Sequence, residues 1–170
     1  MSSYQSNVTL REVADRLGES QRILLTTHAK PDADALGSVI ALGTALRHRG
    51  KQVESVVVGP MVDGLKKLRG SESVREFVED QAMPDCDRIV IVDTGAWAQL
   101  GPMRPALEPM TDRMLIIDHH LSGDIDAPMK WIDSNAAACC EILGDLFDEM
   151  PDRDDLSAPD YGGNKVRKLE

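Results

Sequence analysis

The chain has 170 residues, with 29 acidic and 19 basic side chains and a formal net charge of −10 at pH 7. Such an acidic chain is a poor general coat for long nucleic acids, although a short phosphorylated substrate held by metal ions stays possible. Three cysteines do not make a disulfide framework, and neither a signal segment nor a membrane-length apolar stretch is present. We therefore expect one soluble, cytoplasmic domain with appendages.

The first predicted elements alternate between helix and strand. A helix is predicted in TLREVADRLGES, where Thr9 and Glu12 have the spacing of a capping box. The β-prone run RILLTT, residues 22–27, then stops at His28. The segment DALGSVIALGTALRHRG has apolar residues at helical spacing and Gly50 just past its end, which predicts a second helix.

Three more strands and two more helices follow. KQVESVVVG is the second predicted strand, and VDGLKKLRG is a short helix. RIVIVD (residues 88–93) and RMLIID (residues 113–118) are apolar strands, and a last helix covers Ala136 to Met150. This alternation predicts an α/β, Rossmann-like fold with a mostly parallel sheet and helices on both faces. We assign the domain to residues 1–150 and expect the polar tail, residues 151–170, to be disordered.

Side chains that can bind metal ions stand at the ends of three predicted strands and on the turn after the first. In an open parallel sheet, the carboxyl ends of the strands border a single crevice in which ligands bind. We therefore expect seven such side chains to converge there, namely His28, Asp32, Asp34, Asp93, Asp118, His119 and His120.

Four carboxylates in one crevice need positive charge nearby, because otherwise they repel one another or take up protons. Two divalent cations would remove this repulsion, and a nitrogen and oxygen ligand set favours manganese, with magnesium, cobalt or iron as alternatives. Two such ions would activate water and hold a phosphate, so the pattern predicts a phosphoester or phosphoanhydride hydrolase. For the segment HAKPDADALGS alone, an Asx turn before a helix capped by Asp34 is the alternative.

The segments HAKPDADALGS, IVDTG and IIDHH resemble, in this order, the first three motifs of the DHH phosphoesterase superfamily. The resemblance covers about residues 22–150 and is strongest to the oligoribonuclease and phosphoadenosine-phosphate phosphatase branch. It implies metal-dependent hydrolysis of short oligonucleotides or small nucleotides. It also implies one manganese ion on His28, Asp32 and Asp93, and a second on Asp34, Asp93 and His119. In the same resemblance His120 contacts the scissile phosphate, and Asp118 orients the two histidines or sits beside the second ion.

Members of the superfamily continue with a fourth motif and a second domain that grips the substrate. This chain ends at Glu170 with neither, and Asp154 and Asp155 are poor stand-ins for the fourth-motif aspartate. We therefore expect weak or no activity from the chain as it stands. A manganese inorganic pyrophosphatase and a non-catalytic remnant that binds metal or nucleotide are the alternatives. The exact substrate, the metal and the oligomeric state, including a homodimer, stay open.

The last 18 residues, RDDLSAPDYGGNKVRKLE, resemble something different. They are similar to the opening segment of pyridoxal-phosphate enzymes of the D-cysteine desulfhydrase and aminocyclopropane-carboxylate deaminase group. In those enzymes the lysine that matches Lys165 binds the cofactor. Without the surrounding domain we expect no such role here, and a fused or frameshifted reading frame is the simplest origin.

Overall fold

The computed structural model describes residues 4–79 and 82–150. One six-stranded sheet has the order β3-β2-β1-β4-β5-β6, and all neighbouring strands are parallel. The strands are β1 (Arg22–Thr26), β2 (Gln52–Val57), β3 (Val74–Glu76), β4 (Arg88–Val92), β5 (Met114–Asp118) and β6 (Met129–Ile132). Since the chain runs outward from β1 in one direction and from β4 in the other, the switch point lies between β1 and β4.

Helices cover both faces of the sheet, and the predicted α/β fold class is confirmed. On one face lie α1 (Leu10–Glu19), α2 (Ala33–His48) and α4 (Cys139–Glu149). The other face is covered by α3 (Arg104–Leu107) together with the flanking 3-10 segments Trp97–Met103 and Glu108–Arg113. Among the described residues, no helix has both the length and the apolar character needed to cross a membrane.

Two apolar cores sandwich the central strands, because successive side chains of a strand point to opposite faces. Leu25 and Leu115 are fully buried in the core under α1, α2 and α4. Leu24 and Ile116 are fully buried in the core on the opposite face. Strands buried on both faces hold their carboxyl ends in fixed positions, so the loops that follow them start from a rigid edge.

The structure corrects several local predictions. The capping box of Thr9 and Glu12 is confirmed. The predicted helix in VDGLKKLRG is only a 3-10 turn at Leu65–Lys67, and the last helix begins at Cys139 instead of Ala136. Strands β3 and β6 were not predicted. The tail, with Asp154, Asp155 and Lys165, lies outside the described residues.

Candidate metal centre

The turn after β1 brings two aspartates to the start of α2. Asp32 is the N-cap of this helix, and its Oδ1 accepts a hydrogen bond from the Ala35 amide at 3.0 Å. The alternative prediction, in which Asp34 caps the helix, is therefore wrong about the capping residue. Asp34 lies in the first helical turn, where a carboxylate interacts favourably with the helix dipole.

Asp93 lies at the centre of the site. It follows β4 with a φ of 61°, a left-handed conformation that aspartate adopts more readily than most residues. Its carboxylate is almost fully buried, with Oδ2 lying 3.5 Å from His28 Nε2 and Oδ1 lying 3.3 Å from His119 Nε2. His28, Asp93 and His119 thus meet where β1, β4 and β5 end, beside the switch point.

Both histidines present the same nitrogen to Asp93. The Nδ1 atom of His28 lies 3.1 Å from the Ala29 carbonyl oxygen, and that of His119 lies 3.2 Å from the Ala136 carbonyl oxygen. A carbonyl oxygen only accepts hydrogen bonds, so Nδ1 carries the proton and Nε2 of the neutral ring offers a lone pair. Interaction with Asp93 raises the pKa of His28 above its usual value, although burial opposes this change.

These side chains fit divalent ions. Two groups, His28–Asp32–Asp93 and Asp93–His119–His120, each have potential ligand atoms within 4.8 Å of one another. We call them the first and the second cluster, and Asp93 is common to both. No described residue gives Asp93 Oδ1 a hydrogen bond, although this atom is buried. A buried oxygen without a donor, facing imidazole lone pairs, is the arrangement that a bound cation would satisfy.

Asp34 is held by a helix from the far end of the described chain. Its Oδ2 accepts the Cys139 amide at 2.7 Å, and its Oδ1 accepts the Cys140 amide at 2.9 Å, both at the start of α4. Burial alone would raise the pKa of Asp34, but these hydrogen bonds hold it below its usual value. Asp34 Oδ2 lies 3.9 Å from His119 Nε2, and Asp34 belongs to neither cluster. Its place at the second ion stays a prediction.

Asp118 is a fully buried carboxylate behind the histidine pair. Its Oδ1 accepts hydrogen bonds from His120 Nδ1 at 2.7 Å and from the amides of His119 and His120 at 2.8 and 3.2 Å. Its Oδ2 accepts the Tyr4 hydroxyl at 2.5 Å. Both carboxylate oxygens of Asp118 thus accept hydrogen bonds from other groups of the protein. Nothing in the sequence around Tyr4 signalled this contact, which joins residues 114 positions apart.

The side chains line an open cleft of about 870 Å³ at the carboxyl edge of the sheet. Lys30 is the single lysine or arginine that lines it among the described residues, and Gln99, in the 3-10 segment Trp97–Met103, lines it as well. Ala137 and Ala138 form the wall of the cleft beside α4. Sequence reasoning missed Lys30 and Gln99, because neither is a preferred metal ligand.

Comparison with known proteins places this cleft in a family context. The chain is 26% identical over 169 residues to the cyclic-di-AMP phosphodiesterase GdpP of Geobacillus thermodenitrificans, covering 90% of this chain and 25% of GdpP. It is 29% identical over 126 residues to the bifunctional oligoribonuclease and PAP phosphatase NrnA of Thermus thermophilus, covering 74% of this chain and 36% of that protein. The Bacillus subtilis NrnA is 26% identical over 125 residues, covering 74% and 37%. The chain therefore spans less than half the length of these relatives.

A solved structure has the same fold. The exopolyphosphatase-related protein of Bacteroides fragilis superimposes with a TM-score of 0.74 at 23% sequence identity, over 83% of this chain and 43% of that one. A likeness at this identity supports the architecture alone. The family model described as "DHH family, N-terminal domain" matches residues 22–162, which is most of the sequence. The chain belongs to the DHH family.

Proposed function

We propose that this chain is a metal-dependent phosphoesterase acting on short oligonucleotides or small nucleotides. The observation that carries the proposal is Asp93, a buried carboxylate shared by two ligand clusters whose Oδ1 lacks any hydrogen-bond donor among the described residues. The named activities of GdpP and NrnA, which act on cyclic-di-AMP, oligoribonucleotides and PAP, support the substrate class.

We assign one ion to the first cluster and a second ion to Asp93, His119 and Asp34. His120 Nδ1 lies 3.8 Å from Asp93 Oδ1, but it also lies 2.7 Å from Asp118 Oδ1. A nitrogen that donates its proton to a carboxylate has no lone pair for a metal ion. His120 is therefore a poorer third ligand than Asp34, whose second lone pairs stay available beside its two amide contacts.

The ligand chemistry favours manganese, since each proposed site combines imidazole nitrogen with carboxylate oxygen and contains no cysteine. When bound, divalent ions at such sites lower the pKa of water and neutralise charge on a phosphate. His28 and His119 direct Nε2 toward Asp93, and contacts of Nδ1 with the carbonyl oxygens of Ala29 and Ala136 fix both rings.

His120 and Lys30 would act on the substrate. Because Asp118 holds Nδ1 of His120, Nε2 is the ring nitrogen left for a ligand in the cleft. In its charged form this ring donates to a phosphate oxygen or to the departing oxygen atom, as a general acid does. Lys30 supplies positive charge at the rim of a cleft whose other ionisable groups are carboxylates and imidazoles, and it would attract a phosphate.

Hydrolysis assays with purified protein test this proposal. A labelled dinucleotide, phosphoadenosine phosphate, cyclic-di-AMP and pyrophosphate should each be incubated with Mn²⁺ and, separately, with EDTA. We expect slow, Mn²⁺-dependent hydrolysis of a nucleotide substrate, and we expect Asp93→Asn to reduce its rate at least about 100-fold. Asp87→Asn, at the opposite end of β4, is the matched control and should keep the activity.

The other outcomes separate the alternatives. Phosphate release from pyrophosphate alone would replace the proposal with a pyrophosphatase. Stabilisation by Mn²⁺ without hydrolysis of any of the four substrates would favour a module that binds metal without turnover. Hydrolysis that persists in Asp93→Asn would show that the reaction takes place at another site.

A further inference from the structure

A short segment, residues 4–8, lies along the edge of the sheet and carries Tyr4 to the metal centre. Ser6 Oγ donates to the Ile132 carbonyl at 2.9 Å and accepts the Ile132 amide at 2.7 Å. The Asn7 amide donates to the Lys130 carbonyl at 3.0 Å, and Asn7 Oδ1 accepts the Lys130 amide at 2.7 Å. The segment therefore pairs with β6 through both backbone and side chains, which gives Tyr4 a defined position.

The ring of Tyr4 occupies a space that only glycine allows. A Cβ atom added at Gly95 would overlap the Tyr4 hydroxyl, and a Cβ added at Gly123 would overlap the edge of the ring. Gly95 lies two residues after Asp93, and Gly123 lies three residues after His120. The loops that follow two functional residues are thus both shaped around this one aromatic ring.

We propose that Tyr4 is a positioning residue that acts on His120 through Asp118. The Tyr4 hydroxyl holds Oδ2 of this carboxylate, so the carboxylate plane cannot rotate and Oδ1 stays directed at His120 Nδ1. Burial raises the pKa of Tyr4, and its hydroxyl therefore remains a donor. The inference rests on the proposed function, because the role of His120 toward phosphate belongs to that proposal.

Removing the hydroxyl alone gives the sharpest perturbation. Tyr4→Phe keeps the ring between Gly95 and Gly123 but leaves Asp118 Oδ2 without a described donor. Partners that orient a functional residue typically change activity about 10–100-fold, and we expect kcat to fall by this factor while KM changes less than about twofold. Mn²⁺ affinity should change little, because the hydroxyl that is removed bonds to Asp118, which is not a proposed metal ligand.

A second readout does not depend on activity. In the metal-free protein at fixed pH, the ring ¹⁵N resonances of His120 report its hydrogen bond to Asp118. We expect Tyr4→Phe to shift these resonances. Asn7→Ala removes two side-chain hydrogen bonds of the same segment, to Lys130 and Pro128, without touching Asp118. The backbone bond from the Asn7 amide to Lys130 and both bonds between Ser6 and Ile132 remain in this control, so Tyr4 should keep its position. The resonances and kcat should therefore stay close to wild type.

The outcomes distinguish failure of the inference from failure of the proposed function. Unchanged His120 resonances in Tyr4→Phe overturn the inference, and so does an Asn7→Ala variant with an equal loss of kcat. A loss that is fully additive in a His120→Ala background overturns it as well, since residues acting through one another are not additive. If the wild type hydrolyses nothing, the proposed function fails, and the resonances alone decide the role of Tyr4.

Discussion

Both ligand clusters share Asp93, so Asp93→Asn should remove most of the stabilisation that Mn²⁺ gives to the folded protein. Asparagine has nearly the same size and tolerates the left-handed φ of 61°. The substitution therefore keeps the shape of the loop after β4 while it removes the negative charge next to His28 and His119. The effect should appear as a weaker response to Mn²⁺.

The size of the effect follows from linkage between binding and folding. At a Mn²⁺ concentration of about 100 times Kd, binding to the folded state alone raises the free energy of unfolding by about 2.7 kcal/mol. If losing the shared carboxylate weakens binding about 100-fold, only about 0.4 kcal/mol remains at that concentration. For a chain of this length each kcal/mol corresponds to about 2–4 °C. For each bound ion, Mn²⁺ should raise Tm by about 5–11 °C in the wild type and by about 1 °C in the variant.

Scanning calorimetry with Mn²⁺ and with EDTA measures both increments. Asp87→Asn is the control, because Asp87 precedes β4 and accepts the amides of Gln21 and Arg22, each at 3.0 Å, far from the clusters. It should lower Tm in EDTA but keep the full Mn²⁺ increment. An Asp93→Asn protein with the wild-type increment would refute the reasoning, because the ions would then bind without the shared carboxylate.

Three other predictions test the core, a helix cap and the cleft. Leu115→Ala, at a fully buried site, should lower the free energy of unfolding by about 2–5 kcal/mol in urea titrations, whereas Leu121→Ala, 85% exposed, should change it by less than about 0.5 kcal/mol. Hydrogen bonds from Thr9 lower the pKa of Glu12, so the stabilising effect of the Glu12 carboxylate is present above pH 4.5 and is lost as the pH falls further. The difference in the free energy of unfolding between the wild type and Glu12→Gln should therefore shrink below pH 4.5. Lys30→Gln should raise KM for a phosphorylated substrate about threefold at low salt and less at high salt, with Tm unchanged.

The apolar pattern of the chain was sufficient to predict the fold and the convergence of the site. Strands β1, β4 and β5 are buried along nearly their whole length, so their sequences are continuously apolar and their polar ends are conspicuous. Strand β6, Met129–Ile132, has only half-buried residues and lies at the edge of the sheet. Its sequence therefore shows neither a continuous apolar run nor a conspicuous polar end. Strand β3 has three residues, too few for any period.

Contacts between distant residues account for the details that the sequence did not reveal. By local sequence, both aspartates of the segment PDAD suit the N-cap of α2. Which of them caps the helix depends on α4, whose first two amides donate hydrogen bonds to Asp34. The same contact helps to explain why α4 begins at Cys139, although the preceding alanines favour helix. The contact of Tyr4 with Asp118 gives no periodic or compositional sign, because a single hydrogen bond leaves no pattern in the chain.

The switch point between β1 and β4 divides the structure into two halves, and the clusters differ in how they relate to this division. The second cluster takes all its members from the loops after β4 and β5, whereas the first joins His28 and Asp32 to Asp93 across the boundary. Besides the second ion, which Asp34 would also connect across the boundary, a cation in the first cluster would link the two halves through His28, Asp32 and Asp93. Its loss would let them part more easily, so amide exchange along the β1–β4 ladder should respond to an ion that never touches either strand.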